Sequence, residues 1–249
     1  PLLFLWLEEH LANALSFQYH PEIIETFPQI QAGVILSEGM RNSPSSEELK
    51  EIYFEEQKKV IEKIGDTPLS ELPSLSAWRG AFRKFGVNPT KYRSAVEALL
   101  RRLTKKGDIP SINTLVDIGN LISIRYYLPV AIFDVSKLQS GITVHISDGT
   151  ERFTPLFEKD VQHPEAGEVV FSDKTQLVVA RRWCWRQSDE SAANPDTTTA
   201  VICTEAHHPE GREDVQKAVA DLQDLLNIYA GGVFTSGLVN AKSPIFKTD

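Results

Sequence analysis

"PSINTLVDIGNLISIRYYLPVAIFD", residues 110–134, is the stretch on which the fold turns. Its first part carries apolar residues at helical steps, and from Pro129 the pattern changes to the short β-branched run "VAIFD". The segment predicts a helix running into a strand. Asn113, Asp117 and Asn120 interrupt its apolar positions. Asp117 and Asn120 lie three apart and share one face of a continuous helix. By residue type they read as cap and turn chemistry, and Asp134 as the end of a strand. The other reading makes them the floor of a binding site.

Upstream, Ser45-Ser46-Glu47-Glu48 after Pro44 predicts a capped helix over about 46–64. "LSAWRGAFRKFG" places Trp78, Phe82 and Phe85 at helical steps and ends at Gly86. Asn88-Pro89 makes a turn, and Lys91 to Lys105 predicts a second basic helix with Val96, Leu99, Leu100 and Leu103 inward. Downstream come "ITVHIS", "EVVFSD", "TQLVVARRWCW" and "TTTAVICTEA", the short runs of an antiparallel sheet separated by Gly, Asp, Pro and Asn. A final helix over Asp214–Tyr229 stops at Gly231-Gly232. Helices, then strands, then a helix predict an α+β fold with a central antiparallel sheet flanked by helices. The expected organisation is an N-terminal helical and edge-strand part over 1–74, with "AGVILSEG" as the edge strand. An α+β domain follows over 75–232, and a loose polar tail over 233–249.

The 249 residues are 41% hydrophobic and 24% charged, an ordinary globular composition. No apolar run approaches the roughly 18 residues that span a bilayer. The opening "PLLFLWLEEH" is too short for a signal sequence, and without Met the start reads as processed or trimmed. The expectation is a soluble, cytoplasmic protein with no membrane partner. Cys184 and Cys203 make no disulfide framework and no C-x-x-C. The net charge is -8, yet Trp78 to Lys106 holds nine basic residues and one acid, Glu97. That segment carries +8, leaving -16 for the rest. It is either a solvated helix surface or one basic face for a phosphate backbone.

No phosphate-binding glycine loop, dinucleotide fingerprint, G-x-S-x-G or H-E-x-x-H is present. "CTEAHH", residues 203–208, puts Cys203, Glu205 and His207 on one face of a strand, an arrangement able to hold zinc. No second ligand cluster accompanies it, and the expectation is no metal and no cofactor. Glu205 ends an interior β-branched run, where a carboxylate costs several kcal/mol unless paired or wet. It is either in a salt bridge with Arg181, Arg182 or Arg186, or in a pocket.

The order Pro110, Val116-Asp117, Asn120, Pro129, Phe133-Asp134, followed by "SGITVHISDGTERF", resembles the editing module of the phenylalanyl-tRNA synthetase beta subunit. "FGVNPTKYRSAVEALLRR" and "RRWCWRQSD" are similar to free-standing members of that family. The resemblance covers about Leu75 to Gly232 and implies a pocket at one end of an antiparallel sheet. It implies binding of aminoacyl-tRNA and hydrolysis of a mischarged ester in trans. Glu205 matches the pocket glutamate loosely, since here Ala206 follows it directly, and is the expected catalytic residue. Asp117, Asn120, Ala131, Asp134 and Trp185 are the expected pocket residues. The family's pocket histidine falls on Ala131, and its downstream H-T-D-A segment has no match, which leaves the edited amino acid open. Arg79, Arg83, Lys84, Lys91, Arg93, Arg101, Arg102 and Lys105 are expected to contact the tRNA backbone, and Arg181, Arg182 and Arg186 its terminal phosphates. The alternatives are a non-catalytic tRNA or amino-acid binding module, and a small-molecule ester or amide enzyme using the same pocket.

Overall fold

The computed structural model describes residues 15–248. The strands are β1 (Ser16–Tyr19), β2 (Gln31–Glu38), β3 (Val130–Asp134), β4 (Ile142–Ile146), β5 (Val169–Ser172), β6 (Val178–Arg181), β7 (Arg186–Gln187), β8 (Ala200–Ala206), β9 (Val233–Asn240) and β10 (Ile245–Lys247). The helices are α1 (Pro21–Thr26), α2 (Glu47–Ile64), α3 (Pro73–Lys84), α4 (Ala95–Lys106), α5 (Thr114–Tyr126) and α6 (Gly211–Tyr229). None of the described helices is long and apolar enough to cross a membrane.

Residues 110–134 fold as their pattern predicts, for local reasons. Asn113 caps α5 by accepting from Val116 N at 3.0 Å. Tyr127, at φ 57°, closes it in a left-handed turn. Ser123 Oγ bonds Leu128 O at 2.6 Å, and β3 then begins after Pro129. Ser46 and Ser94 cap α2 and α4 in the same manner as Asn113.

The fold is α+β with three layers. An inner sheet, ordered β3-β8-β2-β9, is antiparallel throughout. One of its faces packs on the helices through Ile35, Ile202, Leu100, Ile122 and Leu222. Its other face, with Val34, Leu36, Phe133, Val201 and Cys203, meets Phe17, Val144, Phe171 and Val179 of a second sheet. That second sheet is ordered β10-β1-β4-β5-β6-β7 and is mixed, because β1 and β4 run parallel. Burial on both faces explains why all seven residues of β8 are inaccessible, a near-continuous apolar run rather than an alternating one. Gly33 lets α6 lie against β2. A Cβ there would stand 2.2 Å from Val219 Cγ2.

Four expectations are corrected. "AGVILSEG" is no edge strand, since β2 lies between β8 and β9. A second sheet accompanies the central antiparallel one, because β4 pairs with β1, and β5 to β7 follow β4 rather than join β3 and β8. "TQLVVARRWCW" stops being a strand at Arg181. Residues 233–240 form β9, paired along its length with β2, where a loose tail was expected.

Candidate functional site

At one end of the interface between the two sheets, β8 brings in Glu205. Its register on β3 sets Cys203 opposite Ala131, and Pro129 precedes the last paired residue, Val130. A cavity of about 70 Å³ lies there, lined by Ala131, Phe133, Phe171, Ala180, Trp183, Cys203 and Glu205, with Trp185, Arg186 and Gln187 among the further wall residues. Four of the expected site residues, Glu205, Ala131, Trp185 and Arg186, therefore meet.

Glu205 is 2% exposed. Its Oε1 accepts from the Tyr19 hydroxyl at 2.5 Å and from Trp183 Nε1 at 3.0 Å. No described residue donates to Oε2. Burial raises the carboxyl to about 7, against the lowering effect of those two donors. The group thus stands near half-ionised at neutral pH. Burial likewise keeps the Tyr19 hydroxyl and the Cys184 and Cys203 thiols protonated, with the Glu205 charge adding to the effect. The thiols are free and poor nucleophiles in that state.

The turn after β6 aims Trp183 at Glu205. Arg182 and Trp183 take φ 46° and 61°, two successive left-handed residues that are not glycine. Such a conformation costs about 1–2 kcal/mol per residue and needs external support. Support comes from Trp183 N to Val169 O at 2.7 Å, and from Ala95 N to Cys184 O at 2.8 Å. Arg182 also bonds Glu168 at 2.7 Å. The indole is packed edge-on by Phe27, Trp78 and His207 at 4.9, 5.5 and 4.8 Å between ring centroids.

Glu205 takes no arginine partner. Arg181 bonds Glu168 at 2.7 Å, and Arg182 bonds Glu165 and Glu168. Both arginines are 5% exposed, which takes them out of the expected phosphate-contacting set. Arg186 alone of the three is exposed, stacked 4.8 Å from the Trp185 ring centre. His207 points into the aromatic cage, and His208 bonds Asp214 at 2.9 Å. Among the described residues, no three His, Cys, Asp or Glu side chains converge as a metal site.

The remaining expected pocket residues do not reach this cavity. Asp117 is fully buried and accepts from Ser45 Oγ, Ser111 Oγ and Ile112 N at 2.6, 2.5 and 2.8 Å. It fixes the entry to α5. Asp134 accepts from Ser136 N at 2.8 Å and Thr197 Oγ1 at 2.5 Å, as turn chemistry. Asn120 lines a neighbouring chamber of about 330 Å³ with Asn113, Val116, Ile132, Phe157 and Ala193. Val130 and Gln187 line both spaces. Phe157 on its rim is 90% exposed and Ile112 62%, apolar surface that a binding site would use.

Arg79 of α3, Arg93 in the connection before α4, and Arg101 and Lys105 of α4 line a cleft of about 380 Å³, the second basic helix beginning at Ala95 rather than at Lys91. Arg79 bonds Glu97 at 2.9 Å, and Arg93 stands 3.7 Å from it. Arg83, Lys84, Lys91 and Arg102 are exposed. Lys84 bonds Thr26 O, and Arg102 lies 3.5 Å from Asp108. The first residue of α4, Ala95, lines the small cavity, so the basic helix begins at the site itself.

Sequence reasoning missed Tyr19, 186 residues from its partner. It also missed the inward role of Trp183. A buried indole needs an acceptor for its N–H, and that requirement was the available signal.

The model of the B3/4 domain family matches residues 77–226. The beta subunit of phenylalanine–tRNA ligase from Shewanella oneidensis is 28% identical over 94 residues, 38% of this chain and 12% of that protein. The subunit from Chromobacterium violaceum is 26% identical over 168 residues, 67% of this chain and 21% of that protein. The chain thus spans about a fifth or less of the length of these relatives. Among solved structures, an N-terminal fragment of the phenylalanyl-tRNA synthetase beta-subunit from Pyrococcus horikoshii aligns with a TM-score of 0.46 and 14% identity, covering 88% of this chain and 50% of that one.

Proposed function

The chain belongs to the B3/4 domain family, and from that premise we propose that it binds aminoacyl-tRNA and hydrolyses a mischarged aminoacyl ester in trans. The observation that carries the reading is Glu205, a buried carboxyl raised to about 7 on the wall of a small cavity. An aminoacyl ester is already activated, so the site has to position a water and take its proton rather than supply a covalent nucleophile. As carboxylate, Glu205 accepts that proton through Oε2, while Tyr19 and Trp183 hold Oε1 in place. The acyl side chain enters the 70 Å³ cavity. The terminal nucleoside takes the 330 Å³ chamber, which has the size, apolar walls and few amides of a ligand site. Arg186 at the cavity wall and the basic cleft along α4 then serve the phosphates.

Deacylation of a panel of correctly and wrongly charged tRNAs by wild type and Glu205→Ala tests this. The expected result is hydrolysis of a mischarged species, slowed about a hundredfold or more in the variant. Its rate should rise with pH through about 7 as the carboxylate forms. Binding of tRNA by folded protein with no turnover across the panel selects the non-catalytic module instead.

A further inference from the structure

The hydrolase reading leaves the acyl group unspecified, and the cavity limits it. We infer that the substrate carries a small side chain, of about three non-hydrogen atoms or fewer beyond Cα, and that aromatic acyl groups are excluded. The inference rests on the hydrolase reading of the Glu205 site and narrows it.

Size is the first argument. An apolar void of about 150 Å³ is known to accept a benzene ring, six carbon atoms. The cavity beside Glu205 holds about 70 Å³. That is less than half a ring's requirement, room in proportion for about three non-hydrogen atoms. Alanyl, seryl, cysteinyl, threonyl and valyl groups fit it, whereas phenylalanyl and tyrosyl groups do not. A water held on Glu205 Oε2 takes part of the same space and tightens the limit.

Rigidity is the second. Phe133, Phe171 and Trp183 are at most 1% exposed, and all three stand in the packed layer between the sheets. Phe133 and Phe171 touch at 5.7 Å between centroids, and Phe171 continues to Phe17 at 6.0 Å. Trp183 is held by its bond to Glu205 and by three edge-on aromatic neighbours. Interiors packed in this way expand only at a cost of several side-chain shifts. The void itself survives because strand pairing puts the methyl of Ala131 opposite Cys203, with Ala180 also on the wall. A larger residue at 131 would fill it.

The test is a graded series of esters on one tRNA: alanyl, seryl, threonyl, valyl, leucyl, phenylalanyl and tyrosyl. Amide-linked aminoacyl-adenosines that cannot be hydrolysed provide parallel binding titrations. In wild type, kcat/KM and affinity should hold up to valyl and threonyl, then fall at least tenfold at leucyl and further for the aromatics. Ala131→Val should lose valyl and threonyl turnover by a larger factor than alanyl turnover, with a cooperative thermal melt reporting that the variant is folded. Should it not fold, the wild-type series decides alone. Tyrosyl or phenylalanyl turnover equal to threonyl would overturn the size limit and leave the hydrolase reading standing. Turnover of no ester, with no analogue bound, removes both.

Discussion

At the scale of single residues, two buried groups set how stability depends on pH. Glu205 titrates at about 7 in the folded chain, against 4.5 for a free glutamate. The folded state holds its proton more tightly, so this stabilising contribution is complete below about 4.5 and is lost as pH rises through 7. The total is on the order of 3 kcal/mol. His207 behaves oppositely. Burial, with the charges of His208 and Lys84, lowers it from 6.5 to about 3, so stability is lost as pH falls from 6.5 towards 3. Between about 4.5 and 6.5 the two slopes oppose each other. Urea midpoints measured from pH 3 to 8 should show the loss above pH 6.5 vanish in Glu205→Gln, and the loss below pH 4.5 shrink in His207→Leu. An unchanged alkaline limb in Glu205→Gln would place the titration elsewhere.

At the scale of elements, the polar residues of 110–134 divide between structure and site. Asn113 and Asp117 build the start of α5, while Asn120, with Asn113 beside it, faces a chamber. Removing the Asp117 carboxylate leaves two serine hydroxyls and Ile112 N without their acceptor. Asp117→Ala should therefore cost roughly 2–4 kcal/mol. Thermal or chemical denaturation measures that cost, and the folded fraction should keep the ester selectivity of wild type. A shifted selectivity would place Asp117 in the site after all. These elements were readable because caps, periodicity and turn residues act within a few positions. The turn after β6 was not, because nothing local forces Arg182 and Trp183 into the left-handed region. Buried acids, aromatic neighbours and the start of α4 hold it from outside.

At the scale of the whole molecule, the arginines divide into two groups. Arg181 and Arg182 neutralise Glu168 inside the fold. Reversing either charge should destabilise the protein by about 3–5 kcal/mol through the stranded partner. Arg101 and Lys105 line the basic cleft, and reversing both should leave folding intact while weakening tRNA binding. Binding measured between 50 and 200 mM salt should then lose slope by about 0.9 per phosphate contact removed. An unaltered slope would move the nucleic-acid face away from α4.

The sequence by itself determined the α+β class, the cap and span of α2, the C-terminal end of α6, most of the strands and the choice of Glu205 as the residue to watch. Each rests on local propensity, on periodicity or on the cost of an interior charge, and all of these can be read along the chain. Only the tertiary structure decided that the strands form two sheets, that β2 is interior, and that Glu205 answers to Tyr19 and Trp183 rather than to an arginine. The reason is physical. A buried carboxyl takes whichever donors the packing of distant strands brings within 3 Å, and those donors lie 186 and 22 residues away in a chain whose local signals extend only a few positions.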